Sequence, residues 1–293
     1  MAFKSEKSAR VGKDQNSRRE FLAAVGAGTV AVGVTAHTSP AQAPNTKPRI
    51  YPDQDQSEVR WGFLIDLRRC TGCHACAVTC KSEFDVRLGV FRNGVIEHES
   101  GTYPNPERRF VPWLCNHCAH PSCLVGCPVE PEKRTLTFPS GTKAEYWARA
   151  TYQRPDGLVL VDQDRCVGCG TCVSLCPYQA RYLDRGKEAG GDPTRPPGDK
   201  CTMCFHRLEE GVVPACVNTC PAEARVIGNL NDPNSDINQR IQDAGANNVA
   251  AIHDNWGTEP RVFYIGLDQQ ELDDAHDLGE EARREAGLQR DIN

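Results

Sequence analysis

Residues 166–177 read Cys-Val-Gly-Cys-Gly-Thr-Cys-Val-Ser-Leu-Cys-Pro, which is the spacing C-x2-C-x2-C-x3-C-P. Three thiolates on so tight a loop can hold three irons of one [4Fe-4S] cubane, and the fourth cysteine then reaches a second cluster. Residues 70–80 repeat the spacing C-x2-C-x2-C-x3-C. These two runs predict a fold that is organised around pairs of iron–sulfur clusters.

All 16 cysteines of the 293-residue chain belong to four groups of four. In chain order the groups are Cys70, Cys73, Cys76 and Cys80; Cys115, Cys118, Cys123 and Cys127; Cys166, Cys169, Cys172 and Cys176; and Cys201, Cys204, Cys216 and Cys220. Because no cysteine is left over and each cubane takes four thiolates, the count predicts four [4Fe-4S] clusters.

Three other uses of cysteine fit parts of this pattern. An even count suits disulfides in an exported protein, but disulfides do not require such spacing. Group four by itself would suit zinc, which takes cysteines in two separated pairs, whereas groups one and three would not. The segment Cys70–His74 matches the C-x-x-C-H haem attachment motif. Haem there would leave Cys76 and Cys80 without a role, so the iron–sulfur interpretation is favoured.

An internal repeat surrounds the cysteine groups. Ile65–Cys70 and Val161–Cys166 align as apolar-Asp-x-x-Arg-Cys, and Cys176–Arg181 aligns with Cys220–Arg225 as Cys-Pro-x-x-Ala-Arg. Short apolar runs flank these segments and are predicted to be strands: Phe63–Ile65, Leu158–Val161, Tyr182–Leu183 and Val226–Ile227. The repeated unit is therefore strand, cluster loop, short helix, Cys-Pro turn and strand.

The overall composition narrows the class of protein. The formal net charge is −5, and a mildly acidic chain is a poor candidate for nucleic-acid binding. Past residue 43 no run approaches 18 apolar residues, so we expect no direct membrane span in the mature chain. We find no Ser-His-Asp arrangement, Walker loop or G-x-G-x-x-G fingerprint, and we assign no catalytic residue.

Residues 1–43 resemble an export signal. A basic segment is followed by an uncharged run of small residues, Phe21–Thr35, which is too short and too weakly apolar to span a bilayer. Ser17–Leu22 (Ser-Arg-Arg-Glu-Phe-Leu) resembles the twin-arginine signal, which addresses folded proteins. Cleavage after Ala43 and cleavage after Ala36 both fit the small-residue rule. Export after cluster loading would protect the thiols from the oxidising periplasm.

Seven basic residues lie close in sequence to the cysteines: Arg68, Arg69, Arg165, Arg181, Lys200, Arg207 and Arg225. Positive charge near a cluster raises its reduction potential, whereas surface ion pairing is the ordinary use of such residues. The sequence leaves both interpretations open. Four loop histidines also lie near cysteines, namely His74, His117, His120 and His206. We expect these to be ordinary loop residues, because the cysteines already suffice as ligands.

Three segments fall outside the repeat. Residues 128–157 form an insert between groups two and three, and the Gly/Pro-rich residues 186–199 are predicted to be a surface loop. Residues 268–293 hold nine acidic residues against three arginines. That composition predicts a solvated helix or a partly disordered tail.

The chain resembles the four-cluster iron–sulfur subunits of the DMSO reductase family of molybdopterin oxidoreductases, over residues 58–265 and at all sixteen cysteines. The resemblance implies a loop-rich α+β fold of two pseudo-symmetric bacterial-ferredoxin-like domains with two clusters each. Residues 58–105 and 195–267 would form one domain, from groups one and four. Residues 106–194, with the insert 128–157, would form the other, and 1–43 and 268–293 would be the signal and the acidic tail.

The resemblance also implies a ligand set for each cluster. In order of distance from the catalytic subunit, the sets are Cys70, Cys73, Cys76 and Cys220; Cys80, Cys201, Cys204 and Cys216; Cys115, Cys118, Cys123 and Cys176; and Cys127, Cys166, Cys169 and Cys172. Some relatives have tryptophan at the position of Cys169 and a [3Fe-4S] cluster there. Because this chain keeps the cysteine, a fourth [4Fe-4S] cluster is implied.

The implied function is electron relay without catalysis, between a molybdopterin subunit and a quinol-interacting or cytochrome subunit in the membrane. The twin-arginine signal makes the chain look most similar to the tetrathionate reductase branch and related periplasmic sulfur- or arsenic-compound enzymes. Alternatives are a free periplasmic polyferredoxin, the iron–sulfur subunit of a nitrite-, sulfite- or hydrogenase-linked membrane complex, and a zinc- or disulfide-stabilised binding protein. The sequence does not determine the terminal substrate, the direction of electron flow or the cluster potentials.

Overall fold

The computed structural model describes residues 51–52, 57–188, 192 and 194–285, with side chains to Arg283. The predicted export signal lies outside these residues. These described residues belong to one compact unit. The two ferredoxin-like domains and their boundaries therefore stay predictions, whereas the mixture of helices, strands and long loops is observed. No helix among the described residues is both long and apolar enough to cross a bilayer.

The strands are β1 (Trp61–Asp66), β2 (Asn93–Thr102), β3 (Asn105–Leu114), β4 (Glu132–Thr137), β5 (Lys143–Ala148), β6 (Thr151–Gln153), β7 (Val159–Val161), β8 (Tyr182–Leu183), β9 (Gly198–Asp199), β10 (Arg225–Asn229), β11 (Val249–Ala250) and β12 (Val262–Ile265). The α-helices are α1 (Ala75–Phe84), α2 (Thr171–Ser174), α3 (Phe205–Glu209), α4 (Ala215–Asn218), α5 (Asp236–Ala244) and α6 (Gln269–Glu285). Short 3-10 turns lie at Ser122–Leu124, Ala246–Asn248 and Asp254–Trp256. The predicted strands and the strand–loop–helix repeat are confirmed.

The four-stranded sheet β10-β1-β12-β11 joins cysteine groups one and four. Strand β1 is buried almost throughout, which suits its apolar run, and lies between antiparallel β10 and parallel β12. The register pairs Ile65 with Arg225. Because β1 leads into Cys70 and β10 follows Cys220, antiparallel pairing brings two cysteines from distant parts of the sequence to one end of the sheet.

Four two-stranded ribbons surround the other cysteines: β2-β3, β4-β5, β6-β7 and β8-β9. The longest, β2-β3, pairs Asn93 with Leu114 at its base and delivers group two directly after β3. The insert between groups two and three forms the largely exposed ribbon β4-β5 and then β6. Strand β7 pairs with β6 and leads into group three, so the insert supplies the strand that β7 needs.

The Gly/Pro-rich segment 186–199 is only partly a surface loop. Its end is buried, because Gly198 and Asp199 form β9 against Leu183 and Tyr182. Asp199 accepts two hydrogen bonds from the buried Arg92, the shorter of 2.7 Å. The expectation of a surface loop is therefore wrong for this end, since a buried arginine and a neighbouring strand hold it in place.

The acidic C-terminal segment forms helix α6, which packs against β2 and β3. Leu272 and Ala275 are fully buried, and His276 is 1% exposed. Across the fold, His253 Nε2 lies 2.8 Å from Asp277 Oδ1, and the Arg283 guanidinium lies 4.4 Å from the Trp113 ring centroid. One face of the helix therefore joins the core through a narrow apolar stripe, while Asp274, Asp277 and Glu281 are exposed to solvent.

Candidate iron–sulfur centres

All sixteen cysteines lie in the described part of the chain, and none of them forms a disulfide. Left-handed residues shape the loops that carry them, at equivalent places in the repeat. Gly72 and Gly168, each just before the second cysteine of its group, have φ of +68° and +66°. A Cβ at Gly72 would collide with the Phe110 ring. These glycines let the backbone turn tightly, so that successive thiols point to one centre.

Backbone amides of the same loops donate hydrogen bonds to sulfur. The Met203 amide lies 3.4 Å from Cys201 Sγ, and the Ala224 amide lies 3.3 Å from Cys220 Sγ. Cys166 Sγ accepts from the amides of Gly168 and Gly198, both at 3.5 Å. Such bonds favour thiolates and help to set the potential of an iron–sulfur cluster.

The first group of thiols that the structure brings together lines one cavity and comes from two ends of the sequence. We call it the first cage, and it consists of Cys70, Cys73, Cys76 and Cys220. Helix α1 carries Cys76, and the pairing of β1 with β10 brings Cys220 close to Cys70. Cys73 is exposed, whereas Cys70 and Cys220 are partly buried. This cage therefore reaches the surface.

A second cavity is lined by the set that we call the fourth cage, namely Cys127, Cys166, Cys169 and Cys172. Gly198 of β9 also lines it, and a Cβ there would lie 3.3 Å from Cys172 Sγ. Cys169 is exposed, and Cys166 is partly buried. The fourth cage, like the first, opens to the surface.

Two further cages are buried at every cysteine. The second cage holds Cys80, Cys201, Cys204 and Cys216, and the third holds Cys115, Cys118, Cys123 and Cys176. Within each set, neighbouring thiols are close enough to raise the pKa of Cys80, Cys201, Cys118 and Cys176. Burial and these neighbours raise the pKa of Cys80, Cys176 and Cys204 to about 12.

Cysteines of different cages lie near one another. Cys76 of the first cage lies near Cys216 of the second, and Cys123 of the third lies near Cys172 of the fourth. Between the second and third cages lies the fully buried His117, whose Nε2 is 3.0 Å from the carbonyl oxygen of Cys201. Its Nδ1 accepts a hydrogen bond from the Val159 amide at 3.0 Å. These positions are consistent with the order first, second, third and fourth, which stays a prediction.

The donor sets fit [4Fe-4S] clusters. Thiols with raised pKa values release their protons only where strong positive charge replaces them, as the irons of a cluster do. Conversely, Arg181 is buried with no hydrogen-bond partner for Nε or Nη2, and Arg225 has none for Nη1. Buried cations of this kind call for nearby anions, and cluster thiolates supply them. Four thiolates also saturate a cubane, so the arrangement suits electron transfer without a free site for substrate.

The loop histidines behave as ordinary residues, with one exception. His206 lies 2.9 Å from Glu83, and His120 lies 3.3 Å from Glu259, both at the surface. His117 instead joins two cages, as described above. Sequence reasoning gave it no role, and the only available signal was its position between Cys115 and Cys118.

Comparison with known proteins agrees with these centres. Residues 107–230, which contain groups two to four, match the 4Fe-4S dicluster domain. A tetrathionate reductase subunit from Salmonella typhimurium is 36% identical over 260 residues, covering 86% of this chain and 89% of that protein. The chain belongs to the family of iron–sulfur subunits of DMSO reductase-type oxidoreductases. The resemblance seen in the motifs is thus confirmed.

Other members of this iron–sulfur subunit family differ in the reductase to which they belong. A selenate reductase subunit from Mesobacillus selenatarsenatis is 35% identical over 234 residues, with 71% of this chain and 73% of that protein covered. The iron–sulfur subunit of arsenate respiratory reductase from Shewanella sp. is 32% identical over 247 residues, with 71% and 96% covered. The cofactor expectation of four [4Fe-4S] clusters is confirmed for this subunit, and its function is electron transfer.

Proposed function

We propose that this subunit relays single electrons through four [4Fe-4S] clusters, between a molybdopterin catalytic subunit and a quinol-interacting or cytochrome subunit in the membrane. It performs no catalysis of its own. The observation that carries the relay is the difference in exposure along the row of cages. The first and fourth cages reach the surface through Cys73 and Cys169, whereas all eight cysteines of the second and third are buried.

The ligand sets follow the four cages. The first cage (Cys70, Cys73, Cys76 and Cys220) holds the cluster nearest the catalytic subunit, and the fourth (Cys127, Cys166, Cys169 and Cys172) holds the distal one. The cavities that these two sets line support this assignment. The mutual effects of the buried thiols on their pKa values support the second and third sets.

Each pair of adjacent clusters belongs to one ferredoxin-like half. The first and second exchange their fourth ligands, because α1 carries Cys76 to the first cage and Cys80 to the second. The third and fourth do the same, since Cys127 and Cys176 each leave their own group for the other cage. This crosswise exchange is the arrangement known for two-cluster ferredoxins, and it supports two pseudo-symmetric halves.

The relay works in the periplasm, in the tetrathionate reductase branch or a related branch for sulfur- or arsenic-compound enzymes. The names of the relatives support this branch, since they include reductases for tetrathionate, selenate and arsenate. The twin-arginine pattern of Ser17–Leu22 supports export in the folded state. The subunit is then held at the membrane by its partner.

A second candidate is a free periplasmic polyferredoxin that carries electrons by diffusion, which the two exposed terminal cages also allow. A nitrite-, sulfite- or hydrogenase-linked membrane complex is the other alternative; relatives include a sulfite dehydrogenase subunit of Allochromatium vinosum.

Anaerobic purification of the tagged chain from its own cells tests these proposals. Iron, molybdenum and co-purifying subunits are measured together. We expect about sixteen irons per chain, as four cubanes require, together with molybdenum in a large catalytic partner. Iron without molybdenum would favour the polyferredoxin or a complex without molybdenum. Little iron under anaerobic conditions would contradict the cluster assignment itself.

A further inference from the structure

Three cations are buried among the cages. Arg225, Lys200 and Arg181 are 4%, 1% and 2% exposed. None of them makes an ion pair with a carboxylate anywhere in the described residues. A cation in this position is costly to bury unless other negative charge compensates it, so the thiolates and their clusters are its counter-charge.

Arg225 lies between the first and second cages. Its Nη2 donates a hydrogen bond of 3.0 Å to Cys76 Sγ of the first cage. Its charge also acts on Cys216 of the second cage. Nη1 has no hydrogen-bond partner. One guanidinium thus faces thiols of two cages.

Arg181 aligns with Arg225 in the sequence repeat. It lies between the third and fourth cages, as Arg225 lies between the first and second. Its charge acts on Cys123, Cys115 and Cys176 of the third cage and on Cys172 of the fourth. Apart from a long contact of 3.4 Å from Nη1 to Thr151 Oγ1, its guanidinium has no hydrogen bond to a described side chain.

Lys200 lies in the remaining interval, between the second and third cages. Its Nζ donates to the carbonyl oxygen of Val159 and, at 2.6 Å, to that of Cys201. Its charge acts on Cys201 of the second cage and on Cys123 of the third. Each of the three intervals along the row of cages therefore holds at least one of these buried cations.

The other four basic residues near the cysteines are compensated by carboxylates. Arg68 pairs with Asp66 at 2.8 Å, Arg69 with Glu223 at 3.2 Å, Arg165 with Glu132 at 3.3 Å, and Arg207 with Glu83 at 3.0 Å. The tertiary structure thus separates the seven basic residues that the sequence left undecided. Four are ion-paired near the surface, and three are buried without a carboxylate.

We propose that the buried charges of Arg225, Lys200 and Arg181 raise the reduction potentials of the two clusters on either side of each. This inference rests on the proposed ligand sets and deepens the proposed relay. In each step one electron leaves the donor cluster and enters the acceptor cluster, and no bond forms or breaks. Reduction adds negative charge, which a nearby buried cation stabilises and solvent does not screen.

The test is a redox titration of the cluster-loaded protein, followed by electron paramagnetic resonance. The variants are Arg225→Gln, Lys200→Gln and Arg181→Gln, with Arg165→Gln as the compensated control. At the wild-type midpoint, we expect the ratio of reduced to oxidised cluster to fall about three- to tenfold for two clusters per variant, and tenfold corresponds to about 59 mV for a one-electron couple.

Which midpoints shift in each variant tests the proposal more strictly than the size of the shifts does. Arg225→Gln and Arg181→Gln should shift two different pairs of midpoints, and Lys200→Gln should shift one member of each pair. Arg165→Gln should shift none, and the charge-retaining Arg181→Lys should restore the wild-type values. Equal shifts of all four midpoints, or unchanged midpoints in fully loaded Gln variants, would overturn the proposal.

A second pair of variants keeps the arginine in place in case its removal prevents cluster loading. Thr151→Asp puts a carboxylate beside Nη1 of Arg181, and Thr151→Asn is its neutral counterpart. We expect Asp to lower the midpoints of the third and fourth clusters relative to Asn; equal midpoints would overturn the role of Arg181. If the wild-type protein holds about sixteen irons and these substitutions leave the midpoints unchanged, this inference is refuted and the proposed relay is not. Wild-type protein without iron refutes the relay.

Discussion

The outer and inner cages are built from the same C-x-x-C loops but differ in what surrounds them. The outer cages leave Cys73 and Cys169 exposed, and loop residues around the cysteines form much of their walls. The inner cages share a core with β1, β3, β12 and α6. Exposure therefore follows from the strands and helices around a loop and not from the loop motif. A relay needs both environments: open ends for partners and an insulated middle.

The largest effect should come from removing one ligand in each environment. We expect Cys176→Ser to prevent accumulation of folded protein, because it leaves a buried third cage incomplete within the core. Cys169→Ser should leave a folded protein that retains about twelve irons or more, since an exposed cage can lose or rearrange its cluster alone. Iron per chain and near-ultraviolet circular dichroism would measure both. Equal loss in the two variants would show that the outer cages are as deeply structural as the inner ones.

A buried ion pair beside the second cage gives the next effect. Arg92 and Asp199 are 5% and 3% exposed and are joined by two hydrogen bonds, and the Arg92 charge acts on Cys80. Asp199→Asn leaves a buried guanidinium unpaired, and we expect a loss of about 3–5 kcal/mol in the free energy of unfolding.

The matched control for that pair is Arg108 with Glu99 on the exposed ribbon β2-β3, joined at 2.5 Å. Glu99→Gln should change the free energy of unfolding by less than about 1 kcal/mol. Chemical denaturation of anaerobic, cluster-loaded protein compares the two. Similar losses would contradict the difference in burial on which the comparison depends.

Acid should destabilise helix α6, which packs into the core around the inner cages, before it affects the outer cages. Burial first, and then the charges of His253 and Arg283, lower the pKa of His276 to about 4, although Asp277 opposes this. Glu280 and the Tyr178 ring also face it. Because the unfolded imidazole takes up its proton near its ordinary pKa and the folded one does not, stability falls as pH drops from about 6.5 to about 4, by at most about 3 kcal/mol.

The variant His276→Leu should remove that part of the pH dependence, and His120→Ala at the surface should leave it unchanged. Protection of the α6 amides against hydrogen exchange, measured from pH 7 to pH 4.5, would follow the effect. Protection that is equally pH-dependent in His276→Leu would show that another group controls the helix.

The last prediction compares the glycine turn of the first cage with a glycine turn outside the cages. Gly72 and Gly89 both have positive φ, but only Gly72 has a close neighbour, the Phe110 ring. Gly89→Ala should cost about 1–2 kcal/mol, the ordinary penalty of that backbone region for a residue with a Cβ. Gly72→Ala should cost more and should speed iron loss from the first cage. Equal rates of iron release to a chelator would contradict the close packing of that loop.

The sequence already contained the chemistry and the local structure. The spacing of the sixteen cysteines predicted the cofactor, and the repeat around Cys70 and Cys166 predicted the strands that precede the loops. These predictions succeed because thiolate spacing and apolar runs act over a few residues. The acidic segment after residue 268 was predicted less well. The many acidic residues of this segment predict a solvated helix. The apolar stripe of Leu272 and Ala275 is short, and it is buried only because α6 packs against β2 and β3.

Tertiary structure decided which distant residues meet. Cys220 reaches the first cage because β10 pairs antiparallel with β1, and hydrogen-bond register across that distance is not encoded in local spacing. The same is true of charge: Arg165 and Arg181 look alike beside their cysteines, yet only Arg165 finds a carboxylate among the described residues. The sequence by itself determined that this protein holds four clusters. Folding determined the exposure of the cysteines and the burial of the cations beside them, because those properties depend on contacts between segments far apart in the chain.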